Sequence, residues 1–195
     1  MKIGILGGTF DPPHAGHIAL AHSAIETLEL DEVMMLPAHR NPLKKGHTTP
    51  AKQRMEMLQL AIQDDPKLSL SDIEVSRGGP SYAVDTLSEL TYIQQAEYWF
   101  ILGSDPLKEI DKWKQPQRLL KMCRLAVAVR EGQNMDQLLM SVPAYVPEAI
   151  DWLPMPPMEI SSSEIRRRLG DRKPMGQWLN PDVLKYIEAN KLYRT

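Results

Sequence analysis

Residues Gly4 to His17 read GILGGTFDPPHAGH, and the rest of the chain is interpreted outward from them. Residues 2–6 form a short apolar run that closes on Gly7-Gly8, which predicts a buried parallel strand ending in a tight turn. From Gly16 to Leu30, Ile18, Ala21, Ile25 and Leu28 recur at helical spacing, with Ala24 beside them. The unit is strand, glycine loop, helix. It contains neither GxGxxG nor GxxxxGK[ST], the two common phosphate-loop patterns. Two prolines and then two histidines, His14 and His17, follow the glycines instead.

Strand and helix signals alternate along the chain. EVMMLP at 32–37, YWFIL at 98–102 and LAVAV at 125–129 are strand candidates, and 68–75 is expected to be extended. Residues 50–62 predict a helix with Met55, Leu58 and Ile62 aligned, and GGPSYAVDTLSEL at 78–90 predicts a glycine turn opening another. This order predicts an α/β class chain: a Rossmann-like doubly wound parallel sheet with helices on both faces and right-handed crossovers. One domain is expected over 1–195, with a small C-terminal helical part at about 160–195. WLPMPPME, 152–159, is expected to be a Pro-rich connector. Ligands of such sheets bind beyond the carboxyl ends of the strands. That singles out the loops 7–16, 38–50 and 103–113 and the segment before the last helices. The 38–50 loop is long and polar, carries His39, Arg40, Lys44, Lys45 and His47, and is a candidate lid.

With 195 residues, 43% apolar and 25% charged, the chain has the composition of a folded globular protein. A net charge of −2 argues against a nucleic-acid partner but leaves small anions open. The single cysteine, Cys123, excludes an internal disulfide framework and lies in an apolar run, as a buried inert thiol would. No segment has the length of a signal-peptide core or a membrane span, so a cytoplasmic location without membrane association is expected.

The chemistry concentrates at two predicted helix starts. Gly7 and Gly8 let backbone N–H groups approach a ligand, and the helix beginning near Gly16 points its positive end at the same place. His14 and His17 flank that start and can donate to an anion held there. A helix cap plus a surface histidine is the plain alternative. Zinc is the other, but it needs a third ligand, and the sequence has neither a Cys cluster nor HExxH. ISSSEIRRRL, residues 160–169, places Ser161 three residues before Glu164, a capping box that predicts the second start. Arg166 could fold back toward that end, whereas Arg167 and Arg168 suit a solvated face. Two anion-binding starts and the basic Lys44 suggest a triphosphate.

GGTFDPPHAGH resembles the HxGH signature of the nucleotidyltransferase superfamily, and ISSSEIR resembles its partner motif ISSTxIR. GGPSYAVDTL, LGSDPLKEIDKW and AKQRMEML resemble internal blocks of the bacterial nicotinate-nucleotide adenylyltransferase family. The likeness covers residues 1 to about 130 and resumes from Ile160. It implies transfer of AMP from ATP to nicotinate mononucleotide, a step of NAD biosynthesis, with Mg²⁺ held mainly by ATP phosphates and water rather than by side chains. As to assembly, a monomer and a homo-oligomer are both compatible with it.

Position by position, the resemblance implies catalytic roles for His14, His17, Lys44 and Arg166. It implies ATP contacts for Gly7, Gly8, Phe10, His14, His17, Gly103, Asp105, Ile160, Ser162, Ser163 and Arg166. Thr9, Phe10, Lys44, Ser81, Tyr82, Ala83, Thr86, Asp105, Trp113 and Lys114 are implied around the mononucleotide, with the Trp113 indole placed to stack on the nicotinate ring. Three positions depart from the family pattern: Leu43 stands where the PPHK loop has histidine, Ala83 replaces the usual threonine, and Lys114 follows Trp113 where an aromatic is common.

Overall fold

KIGILGG forms strand β1 (Lys2–Gly8) with Ile3, Gly4, Ile5 and Leu6 buried, so this strand lies inside a sheet covered on both sides. The computed structural model describes residues 1–43, 48–129, 132–155 and 160–194. Its other strands are β2 (Glu32–Pro37), β3 (Leu68–Leu70), β4 (Glu97–Gly103), β5 (Arg124–Val129) and β6 (Ile150–Pro154). All pair in parallel, in the order β3-β2-β1-β4-β5-β6. The helices are α1 (Ala15–Leu28), α2 (Ala51–Ile62), α3 (Ile73–Arg77), α4 (Ala83–Ile93), α5 (Ser104–Lys108), α6 (Pro116–Leu119), α7 (Met135–Met140), α8 (Ser162–Gly170) and α9 (Pro181–Ala189).

Side chains alternate across each strand and so feed two layers. Leu6, Met35, Ile101, Ala126 and Leu153 meet Ala21, Ala24 and Ile25 of α1 and Leu58 and Ile62 of α2. Ile3, Ile5, Leu36 and Tyr98 meet Val84, Leu87 and Leu90 of α4 on the opposite face. The doubly wound α/β expectation is met. The chain builds outward from β1 through β2 to β3, then crosses to β4 on the other side of β1. This reversal opens a crevice between the carboxyl ends of β1 and β4, where ligands of such sheets bind. The C-terminal helices close over α2: Ile165, Val183 and Ile187 pack with Met57.

Two expectations are corrected. The extended segment at 68–75 stops at Leu70, and residues 73–77 are helix α3. Asp72 redirects the chain: its carbonyl accepts from the Ser76 N–H at 2.8 Å and its carboxylate from the Ser76 hydroxyl at 2.6 Å. The stretch at 152–159 is not all connector, because Ile150–Pro154 is strand β6. Pro154 is its last residue on an edge strand, where a proline's missing N–H is tolerated. Residues 156–159 lie outside the described part. Cys123 is buried as expected, and burial pushes its thiol up to about 12, which keeps it inert.

Candidate active site

The loop between β1 and α1 is shaped by Phe10. Its backbone is left-handed, φ 50°, which a bulky residue adopts only when the surroundings enforce it. The compensation is burial: the ring is 1% exposed and meets the His17 imidazole edge-on at 4.8 Å. His14 is the N-cap of α1. Its N–H donates to Nδ1 of His17 at 3.2 Å, and the two rings stack with centroids 3.7 Å apart. Since His17 Nδ1 accepts, the neutral ring carries its proton on Nε2 as a donor. His14 is buried, which pushes its pKa down to about 4, and its Nδ1 has no hydrogen-bond partner among the described residues.

Gly16 lies under a close approach. A Cβ there would stand 3.0 Å from His14 Nδ1 and 3.1 Å from Cε1, so any other residue makes the imidazole shift by a few tenths of an ångström from its place over the first turn. Ile160 borders the same spot, its Cβ 4.0 Å from that point. The first turn of α1 holds no acidic residue to offset its positive end.

The second predicted helix start converges on the first. Ser161 caps α8, its hydroxyl accepting from the Glu164 N–H at 3.2 Å. The Glu164 carboxylate does not complete the box. It accepts from Arg167 and Arg168, whose guanidinium groups pull its pKa down to about 2. Ser162 donates to the Pro12 carbonyl at 3.0 Å. Arg166 folds back as expected, donating through Nη1 to the Asp11 carbonyl at 2.7 Å and through Nη2 to the Ser163 hydroxyl at 3.3 Å. Two segments about 150 residues apart thus share one wall.

Gly7 and Gly8 end β1 at this crevice, and Gly103 ends β4 beside them. Asp105 is exposed in α5, 3.7 Å from Lys108. Thr9 gives its carbonyl to Arg54, and its buried hydroxyl has no partner among the described residues. The turn before α4 is tied to the loop after β2: the Ser81 hydroxyl accepts from the His39 N–H at 2.9 Å, and the Ser81 N–H donates to the Arg40 carbonyl at 2.9 Å. Tyr82 caps α4 and Ala83 is its first residue, so that helix also starts at the carboxyl end of the sheet. Trp113 packs edge-on against Phe100 at 5.5 Å, with its indole N–H buried and unpartnered among the described residues.

Two implied mononucleotide residues are already engaged. The buried Thr86 hydroxyl donates to Glu74 at 2.7 Å and accepts from Arg77 at 2.9 Å. Lys114 pairs with Asp85 at 2.8 Å and sits 4.8 Å from the Tyr82 ring centroid. Lys44, the remaining predicted residue, lies outside the described part, as do Lys45 and His47. The structure therefore brings the HxGH and ISSSEIR residues to one crevice.

Sequence reasoning missed Asp11, Thr49, Arg54 and Tyr193. Arg54 is 1% exposed and gives its donors to the carbonyls of Thr9, Ala38, His39 and Thr49. It locks the loops after β1 and β2 together. Asp11 accepts from the Tyr193 hydroxyl at 2.6 Å and from the Thr49 N–H at 3.1 Å. A charged residue at 54, in line with Leu58 on the apolar face of α2, was the available signal. Among the described residues no group of three His, Cys, Asp or Glu side chains is placed to hold a metal ion.

A strand, a helix start with stacked imidazoles, and an arginine folded onto the same loop define a nucleotidyltransferase-like site. Consistently, a family model described as Cytidylyltransferase-like matches residues 5–168. Among curated proteins, the chain is 40% identical over 98% of its length to a Roseiflexus protein named "Probable nicotinate-nucleotide adenylyltransferase", covering 98% of that protein. A Thermus thermophilus protein of the same name is also 40% identical, with both chains fully covered. The chain belongs to the nicotinate-nucleotide adenylyltransferase family. A Plasmodium falciparum nicotinic acid mononucleotide adenylyltransferase solved with NaAD shares the fold, with a TM-score of 0.80 over 98% of this chain and 97% of that one, at 22% identity.

Proposed function

We propose that the protein transfers AMP from ATP to nicotinate mononucleotide, giving nicotinate adenine dinucleotide and pyrophosphate in NAD biosynthesis. The observation that carries the reading is the convergence of Arg166 and Ser162 on the Asp11–Pro12 carbonyls beside the stacked His14 and His17. Membership of the family supplies the acceptor. The reaction needs no covalent enzyme intermediate: a phosphate oxygen of the mononucleotide attacks the α-phosphorus of ATP, and the bond to the β,γ-pyrophosphate breaks. The protein aligns two anions that repel each other and stabilises charge as it builds on the transferring and leaving groups.

In this reading His17 donates to the α-phosphate, and His14 caps α1 against the same group. Arg166 holds the β- and γ-phosphates, with Lys44 as its partner on the 38–50 loop. Gly103, Asp105 and Ile160 border the adenosine, and Ser162 and Ser163 set the wall that Arg166 spans. On the acceptor side, Thr9, Phe10, Ser81, Tyr82 and Ala83 line the mononucleotide, Thr86 and Lys114 stand behind it, and Trp113 stacks on the ring. The nitrogen donors gathered here suit phosphate oxygens rather than a hard cation, and the Asp11 carboxylate is taken up by Tyr193 and Thr49. A divalent cation, Mg²⁺ in our reading, would be held mainly by ATP phosphate oxygens and water, and would supply charge neutralisation. No helix among the described residues is long and apolar enough to cross a membrane.

The test is pyrophosphate release from Mg-ATP with nicotinate mononucleotide, nicotinamide mononucleotide and 4′-phosphopantetheine as acceptors in parallel. Release with nicotinate mononucleotide far above the others is expected. No release with any acceptor defeats the reading.

A further inference from the structure

Asp11 carries two opposed features. Its main-chain carbonyl orients Arg166 at 2.7 Å, while its carboxylate, 4% exposed, is a buried negative charge on the same residue. A carboxylate beside a guanidinium normally captures it in a bidentate pair. Here no such pair forms: Oδ1 accepts from the Tyr193 hydroxyl at 2.6 Å and Oδ2 from the Thr49 N–H at 3.1 Å, while Arg166 donates to the Asp11 main-chain carbonyl instead. Arg54, the other guanidinium nearby, spends its donors on four carbonyls and makes no hydrogen bond to Asp11. The Arg166 charge acts on Tyr193 as well, so phenol, carboxylate and guanidinium form one local group.

We propose that Tyr193 is a positioning residue for the triphosphate site: by occupying Asp11 Oδ1 it competes with Arg166 for the carboxylate and keeps Arg166 available to phosphate. Removing the hydroxyl leaves Oδ1 without its phenol donor, and Arg166 turns from the crevice to replace it. The loss of phosphate affinity then depends on the Asp11 charge and not on packing of the ring. Tyr193 also joins the C-terminal helical part to the catalytic loop, since it packs with the cluster built on Met57, Val183 and Ile187. The inference rests on the reading of Arg166 as a phosphate ligand.

The experiment is calorimetric titration of the full chain with pyrophosphate, comparing the parent, Y193F, D11N, the double variant and R166A. Y193F is expected to weaken binding about tenfold, as loss of a hydrogen bond to a charged group does. D11N is expected to bind at least as tightly as the parent, and in its background Y193F should change affinity less than twofold. Equal losses from Y193F in both backgrounds would show a merely structural role and overturn the proposal. So would an unchanged Y193F alongside a weakened R166A. If R166A itself binds like the parent, the phosphate reading of Arg166 falls, and this inference with it. Should Y193F fail to fold, D11N decides alone: binding at least as tight supports the proposal, and weaker binding overturns it.

Discussion

The Arg166 guanidinium donates to the Asp11 carbonyl at 2.7 Å across a separation of 155 residues. This one contact makes a single wall of the HxGH loop and the ISSSEIR helix. Arg166→Ala should therefore lower kcat/KM for ATP by about a hundredfold or more, as losing a charge-stabilising donor typically does. Arg166→Lys should recover little, because an ammonium cannot span both the Asp11 carbonyl and the Ser163 hydroxyl. Steady-state kinetics with ATP varied checks both.

Gly16→Ala separates activity from stability. Alanine favours a helix by about 0.5–1 kcal/mol over glycine. The new Cβ, 3.0 Å from His14 Nδ1, must displace the imidazole. Melting temperature should change by only a few degrees, while kcat falls at least about tenfold for the misplaced group. A thermal melt and a pyrophosphate-release assay on one preparation give the comparison.

Burial of His14 makes stability depend on pH in a defined direction. Its pKa is about 4 when folded against 6.5 when unfolded, so between those values the unfolded state binds the extra proton. The contribution is fully present above pH 6.5 and is lost as pH falls toward 4. It amounts to about 3 kcal/mol at most. Urea unfolding at several pH values should show a shallower acid slope in His14→Asn than in the parent.

Arg54→Met should be the most destabilising of these substitutions. It leaves the carbonyls of Thr9, Ala38, His39 and Thr49 without their donor in a buried place. A loss of about 3 kcal/mol or more is expected. Lysine should not restore it, since one ammonium cannot reach four acceptors arranged around a planar fork. Denaturant titration of both variants measures the cost.

Much of this was legible from residue order, for identifiable reasons. Strands β1, β2, β4 and β5 are continuous apolar runs bounded by turn residues, and α1 and α2 carry regular apolar spacing, so their extents were close to those expected. The N-cap Ser161 was legible because capping is local. Strand β6 was hidden by the prolines that follow Trp152, although an edge strand tolerates a terminal proline. The apparent alternation at 68–75 concealed a turn at Asp72, and Glu74 points inward to Thr86. Arg54 was signalled by its place on the apolar face of α2, but its partners were not, and Asp11 and Tyr193 were not legible because their partners are main-chain groups or residues far along the chain. Any residue offers a carbonyl, so no sequence pattern announces which one a buried guanidinium meets.

In the proposed mechanism His17 stabilises the transferring phosphoryl group at the start of α1. The direct measurement is a rapid-quench single turnover at saturating Mg-ATP and nicotinate mononucleotide, comparing the parent with His17→Ala. The rate constant of chemistry is expected to fall by about a hundredfold or more. An unchanged rate constant in a folded His17→Ala protein would contradict it.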